Sequence, residues 1–158
     1  MLAVESGKET GFTLIELMVT VALIAIIALV AVPAFGNLIQ SQRAATHANL
    51  LLSAVSLARS EAIRLNAPVR VSALNAGGWC VHTAAVCDNG TRLQEHQLPQ
   101  TVEVQGWFDM AFDGQGRRIV PAAGNLNIVV LSPGCTGERA RRVTIAPIGQ
   151  GSIRSWSC

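Results

Sequence analysis

No charged side chain occurs between Glu16 and Arg43, a gap of 26 residues. That gap constrains the chain more than any other feature. Its first part lies in "GFTLIELMVTVALIAIIALVAVPAF", residues 11–35. About 20 apolar residues in helical form span a bilayer, so this stretch is long enough to cross one. Such a surface needs lipid or other protein around it. One residue resists the plain membrane reading: Glu16, a carboxylate inside the apolar start. A lone ionised side chain within a membrane helix costs about 2.5–3.5 kcal/mol on insertion scales.

A cleaved secretory signal fits this end poorly. Such signals have a basic start, a short apolar core and a small-x-small exit site. Here the leader "MLAVESGKETG" carries one Lys against two Glu, and the apolar run is too long for a typical signal core. A plain signal anchor explains the hydrophobicity but leaves Glu16 without a reason. Snorkelling of Glu16 to the headgroups is the bland explanation, since it lies near one end of the span.

The residues "G-FTLIE" followed by an apolar helix resemble the type III signal of type IV prepilins and type II secretion pseudopilins. The resemblance implies that a prepilin peptidase cuts after Gly11 and that the same enzyme N-methylates Phe12. Glu16 then becomes the fifth residue of the mature chain. The family role implied for Glu16 is to meet the N-terminal amine of a neighbouring subunit. Two unit charges ~4 Å apart attract by about 4 kcal/mol at an effective dielectric of 20. That offsets much of the burial cost, but only after another subunit arrives. The carboxylate then penalises the lone helix and favours assembly.

The helix is expected to continue past the span. Pro33 and Gly36 predict a kink or loosened turn. Beyond them Ala48, Leu51, Leu52, Val55, Ala58, Ala62 and Leu65 recur at steps of three and four, with Ser53, Ser56, Arg59, Ser60 and Arg64 on the other side. That is an amphipathic helix. It is expected to end at Asn66, ahead of Pro68. Residues 12–66 would thus form an interrupted rod on the order of 80 Å long. His47 reads as a helix-surface residue.

From Pro68 the pattern changes to short β-prone runs punctuated by Gly and Pro. "PVRVSAL" and "WCVHTA" flank "NAGG" as a hairpin; "TVEVQ", "DMAF", "RRIV", "LNIVVLS", "RRVTIAP" and "SIRSW" follow as strands. "DGQG" and "PIGQG" are read as turns, not as an internal repeat. The fold class expected is α+β: a long N-terminal helix packed on a C-terminal antiparallel β-sheet domain. The segments expected are a leader at 1–11, a transmembrane or filament-core helix at 12–35, an amphipathic helix at 36–66 and a β domain at 67–158. "LARSEAIRLNAPVRV" at 57–71 resembles the helix-to-strand junction of FimT/FimU minor pilins and GspH pseudopilins. "FDGQGR" and "RRVTIAPIGQGSIRS" resemble their later strands. The fold this resemblance implies is the same helix-on-sheet arrangement.

Four cysteines, Cys80, Cys87, Cys135 and Cys158, form an even set in a domain expected outside the inner membrane, which favours disulfides. Three pairings are possible. Cys80–Cys87, bracketing a turn, and Cys135–Cys158, tethering the last residue of the sequence, are preferred. The zinc alternative uses Cys80, His82, Cys87 and His96, whose spacing is not that of a standard finger. No metal and no cofactor are expected.

Nothing proposes an enzyme. The sequence lacks a phosphate-binding Gly loop, HExxH and a GxSxG elbow. Asp88, Asp109 and Asp113 sit in or beside turns, where Asp is favoured for geometry alone; Glu95 and Glu103 read as solvated strand residues. After removal of 1–11 the chain has 11 Arg, no Lys and 8 Asp plus Glu, a net charge of +3. Arg139, Arg141, Arg142 and Arg154 fall in the last 20 residues, with Arg117 and Arg118 before them. Guanidinium forks suit phosphate oxygens, and a basic cluster is the footprint of nucleic-acid binding. Some FimT-type relatives bind DNA through a C-terminal Gly-Arg-x-Arg. Here the matching positions are Gly151, Ser152, Ile153 and Arg154, with Ser in place of the first Arg. Solvated strand charges are the competing explanation.

The resemblance therefore implies a non-enzymatic minor pilin. It would be held in the inner membrane by one span, with its C-terminal domain periplasmic, and would then enter a type IV pilus in a tip or priming complex. Its partners would be other major and minor pilins, the prepilin peptidase/N-methyltransferase and, weakly and without sequence preference, DNA. The alternatives are a GspH-like type II secretion pseudopilin and a DNA receptor of a competence pilus.

Overall fold

The computed structural model describes residues 11–75, 77–106 and 109–158, with Pro33 described by its backbone only. Of the expected leader only Gly11 is among them. Contacts divide the chain into two compact units, Met1–Gly36 and Asn37–Cys158.

Helix α1 runs over Leu14–Leu65, 52 residues. Its start is set by a side chain. Thr13 stands at the N-cap, and its Oγ1 accepts the backbone N–H of Glu16 at 3.2 Å. Thr13 and Glu16 are spaced as the first and last residues of a capping box, and an acidic residue in the first turn also suits the helix dipole. Helix is assigned through Pro33 and Gly36, so the expected interruption is absent as a break in helical structure. Proline removes one backbone donor, and apolar helices tolerate that loss when adjacent turns adjust. The boundary between the two units nevertheless falls at Gly36.

Among the described residues the helix of the first unit shows no covered face. Every large apolar side chain described between Leu14 and Phe35 stands exposed. The segment is long and apolar enough to cross a membrane by length and composition.

In the second unit the helix is one-sided. Ala44, Ala48, Leu51, Ala54, Val55, Ala58 and Ala62 are buried, at the three- and four-residue steps of a single face. Five of the seven are alanines, so the backbone comes close to the strands and needs few large side chains to fill the gap. Leu65, assigned to that face by the pattern, is exposed. The helix ends in a left-handed residue, Asn66, with φ 49°. The Ala67 N–H bonds the Ala62 carbonyl at 3.2 Å and the Asn66 N–H bonds that of Ile63 at 3.3 Å. Those two bonds make a Schellman cap.

Among the described residues nine strands follow: β1 (Val69–Ala73), β2 (Gly78–His82), β3 (Arg92–Gln97), β4 (Glu103–Gln105), β5 (Met110–Phe112), β6 (Arg118–Val120), β7 (Leu126–Leu131), β8 (Ala140–Ile145) and β9 (Gly151–Trp156). All described pairings are antiparallel. They form two sheets rather than one, in the orders β3-β2-β1-β5-β6 and β4-β7-β8-β9. Eight strands overlap the runs read from sequence. β3 does not, because "RLQEHQ" has no buried alternation to announce it. Residue 76 of the "NAGG" turn lies outside the described residues.

One core serves the helix and both sheets. Val69, Val71, Trp79, Val81, Met110 and Phe112 meet Leu51, Val55 and Ala58 of α1 and Leu126, Ile128, Val130, Val143 and Ile145 of the second sheet. The clearest strand pattern is in β7, where Leu126, Ile128 and Val130 are buried while Asn127 faces out.

The two GQG turns meet over the helix. The Gly149 backbone, at φ +79°, approaches the Gly116 carbonyl so closely that an added Cβ would lie 2.3 Å from that oxygen. Arg59 Nε donates to the same Gly116 oxygen at 3.0 Å, and the Arg118 N–H donates to the Pro147 carbonyl at 2.9 Å. These contacts join one edge of the first sheet to the turn after β8.

Candidate functional site

The N-terminal candidate is built from an uncoiled entry and a capped helix. Gly11 and Phe12 precede α1, and both are exposed. A Cβ added at Gly11 would meet nothing within 4 Å. Among the described residues nothing crowds the Gly11 side of that peptide. Glu16 is exposed in the first turn, with its backbone fixed by Thr13. An acidic side chain in this first turn also suits the helix dipole.

The basic candidates do not form one cluster. Arg142 and Arg154 are directly opposed across β8 and β9. The Arg142 guanidinium carbon lies 2.9 Å from the ring centroid of Trp156, a cation–π contact. Trp156 thus covers an arginine. Around the pair a shallow cleft of about 570 Å³ is lined by Asn127, Thr144, Gln150, Ser152 and the two arginines. Among the described residues no carboxylate lines it. Thr144 Oγ1 donates to Asn127 Oδ1 at 2.8 Å, ordering its floor.

Arg141 points the other way, because neighbouring strand residues alternate faces. Its guanidinium donates to Ser41 Oγ at 3.1 Å and to the Ala140 carbonyl at 3.0 Å. Arg139 donates to Thr136 Oγ1 at 3.1 Å in the preceding loop. Arg117 is exposed and paired with Asp113 at 3.2 Å. Arg118 must be withdrawn as a surface contact: it is 3% exposed and donates to the Gly124 carbonyl. Its burial lowers its pKa from the ordinary arginine value.

The carboxylates beside turns are engaged in building them. Asp88 Oδ1 accepts the N–H groups of Gly90 and Thr91, both at 2.9 Å. Asp113 Oδ1 accepts those of Gln115 and Arg117 at 3.0 and 2.8 Å. The Arg117 amide, chiefly, holds the Asp113 carboxyl below its ordinary pKa. Asp109 Oδ1 accepts the Ala73 N–H at 3.2 Å.

Cys80 is bonded to Cys87 and Cys135 to Cys158. That removes both sulfur ligands from the zinc alternative. His82 is buried with Nε2 2.8 Å from Ser72 Oγ. His96 lies elsewhere in contact: its Nε2 is 3.2 Å from His47 Nδ1, and its ring stacks on Trp79 with centroids 4.4 Å apart. His47 is therefore half-buried against β3 and not a free surface residue. Neither a lone His on a helix nor one in a polar strand signals such a pairing in sequence.

A helix with an uncovered apolar first unit, a second unit carrying two antiparallel sheets, and a Gly-Phe entry with a carboxylate in the first turn define a pilin-type subunit. The family of type II transport proteins GspH matches residues 47–149, and the prokaryotic N-terminal methylation motif matches residues 7–32. The chain belongs to the GspH family and carries the methylation motif of prepilin-like proteins. Its fold is that of the type IV minor pilin FimU of Pseudomonas aeruginosa, seen in two crystal forms. One aligns with TM-score 0.58 and 19% identity over 72% of this chain and 98% of that one. The other aligns with TM-score 0.61 and 18% identity over 74% and 96%. A search of curated proteins found no significant match.

Proposed function

We propose that the chain is a minor pilin, a structural subunit of a type IV pilus. The prepilin peptidase removes residues 1–11 and methylates Phe12. One span, residues 12–35, then holds the mature chain in the inner membrane with the β domain periplasmic. It leaves that store for the filament, in a priming or tip complex with major and minor pilins. The observation that carries this reading is the uncovered apolar surface of Leu14–Phe35 behind an exposed Gly11–Phe12 entry. Such a surface is stable only among lipids or other helices, and the pilin class uses both in turn. Glu16 fits the same sequence of events, since its carboxylate is costly in lipid and compensated by a neighbour's amine.

The test is the N-terminus. Mass spectrometry of membrane-extracted protein should find methylated Phe12 as the first residue, and sheared filament fractions should contain the chain. An intact Met1 terminus in cells with active peptidase would overturn the reading.

The family description favours a second reading, a type II secretion pseudopilin. Deleting the gene in cells that make both machines separates the two, by loss of piliation or loss of secretion. A weak, sequence-independent contact with DNA is an accessory proposal. Its support is the Arg142–Arg154 pair beside a cleft whose described lining holds no carboxylate, with Glu103 on the same sheet face two strands away.

A further inference from the structure

Strand β3 is a weakly anchored edge of the first sheet. It is an edge, paired only with β2. The pairing shifts register between Val81 and His82, and none of its residues belongs to the core cluster. Its side chains are exposed or half-buried throughout. One of them reaches inward. His96 lays its ring on Trp79, which is 1% exposed, and brings Nε2 to 3.2 Å from Nδ1 of His47 on α1. His47 and His96 thus link an edge strand, the core indole and the helix through two imidazoles.

A bond between two imidazole nitrogens needs one N–H and one free lone pair. The pair holds when both rings are neutral or when one proton is shared. It cannot hold when both are cationic, since each nitrogen then carries a hydrogen and the charges repel.

The charges near this pair do not rescue the doubly protonated state. On α1 the closest charged residue in sequence is Arg43, which is exposed and a cation. On β3, Glu95 is engaged by Arg92 and by Gln97. On β2, Trp79 carries no charge and Cys80 is in a disulfide. Among the described residues no carboxylate forms an ion pair with either ring.

We propose that His47 and His96 are an acid-opened latch that fastens β3 to α1 over Trp79. Burial, the larger cause, and the neighbouring His96 lower the pKa of His47; burial lowers that of His96. The sign follows. The latch is closed above the ordinary histidine value of about 6.5. Its contribution is lost as pH falls from there through the lowered values of the folded protein. The two rings titrate as one coupled unit, with two macroscopic steps. The second proton opens the contact, loosens β3 and uncovers the indole. An edge strand so loosened is the place where another strand can pair, so acidity controls the order of this edge.

The experiment uses the full mature chain in detergent micelles, with Trp107→Phe and Trp156→Phe leaving Trp79 as reporter. Acrylamide quenching is followed from pH 7.5 to 4.5. The quenching constant should rise at least twofold, with a midpoint below 6.5. His96→Gln should remove the pH dependence and leave a flat profile. In parallel, imidazole NMR of the unsubstituted chain should give His47 and His96 two steps separated by more than one unit. Independent titration of both rings near 6.5 would overturn the proposal. So would a quenching constant flat across the range, or a rise that persists in His96→Gln.

Discussion

The two halves of α1 have the same backbone and opposite surroundings. From Leu14 to Gly36 the helix is apolar on every side and uncovered. From Asn37 to Leu65 it is apolar on one face, and that face is sealed by strands. The second half finds its partners within its own chain. Among the described residues the large apolar side chains of the first half stay exposed, and the proposed function gives them lipids or other subunits as partners. Burial, rather than helix propensity, separates them. The proposed function uses this division: one half would exchange between membrane and filament, and the other would carry a domain that survives the exchange.

The largest effect should come from testing that division directly. Leu51→Ala deletes a fully buried side chain in the second half and should cost about 2–5 kcal/mol. Leu23→Ala removes an exposed one in the first half and should change unfolding of the β domain by no more than about 0.5 kcal/mol. Denaturant titration of both variants in micelles, read by near-UV circular dichroism, checks this. Equal losses would show that the halves share one cooperative unit.

The disulfides come next. Opening Cys135–Cys158 with a double Ser variant should cost ~3.4 kcal/mol, and opening Cys80–Cys87 ~2.5 kcal/mol, from loop closure alone. Neither should affect membrane retention, because both bridges lie in the second unit. Fractionation of the double variants reads that out.

Much of this was legible from residue patterns, for physical reasons that differ by region. The apolar gap and the alternation in β7 are visible because burial selects side chains at helical and strand periods. The Ala-rich face of α1 is visible for the same reason. What escaped is what side-chain periodicity does not encode. β3 is polar because it is an edge. The division into two sheets depends on which strand neighbours which, as when β1 pairs with β5 across the chain. Arg118 reads as a surface charge beside Arg117, yet strand alternation turns it inward while Arg117 stays with Asp113. The pairing of Arg142 with Arg154 required the β8–β9 register, and the latch required two residues 49 apart in sequence.

Glu16 tests the comparison from the other side, with a smaller energy and a clear phenotype. Glu16→Ala removes both the charge and the side chain at the capping-box position, leaving the Thr13 bond to the backbone N–H of residue 16. Glu16→Gln keeps a residue that suits the box while losing the charge. Both variants should stay in the membrane, since an ionic burial cost disappears. If the charge serves assembly, Glu16→Gln should fail to enter filaments as badly as Glu16→Ala. Recovery of filament incorporation by Gln alone would assign the residue to helix capping.

The smallest expected effect concerns the outer face of β8 and β9. Residues Asn37–Cys158 hold 11 Arg against 7 Asp and Glu, a formal charge of +4. On β8 and β9 it is Arg142 and Arg154 that share the outer face, while Arg141 is turned the other way. Two phosphates neutralised on duplex DNA predict a log–log salt slope of about −1.8, at about −0.9 per contact. Such binding is weak and indifferent to sequence, because no helix or base-reading groove accompanies the pair. Arg154→Ala should reduce it most. Arg142→Ala should follow, since that guanidinium is already stacked on Trp156. Arg141→Ala should matter less, because its guanidinium is turned toward Ser41. Ser152 lies two residues before Arg154 on the same side of β9 and lines the same cleft. Ser152→Arg therefore adds a third guanidinium to that face and should steepen the slope to about −2.7. Gel shifts at low salt measure all four variants. If the Ser152→Arg chain stays unbound at high protein concentration, the face has no role in nucleic-acid binding, and its arginines serve as solvated charge on a subunit whose work is assembly.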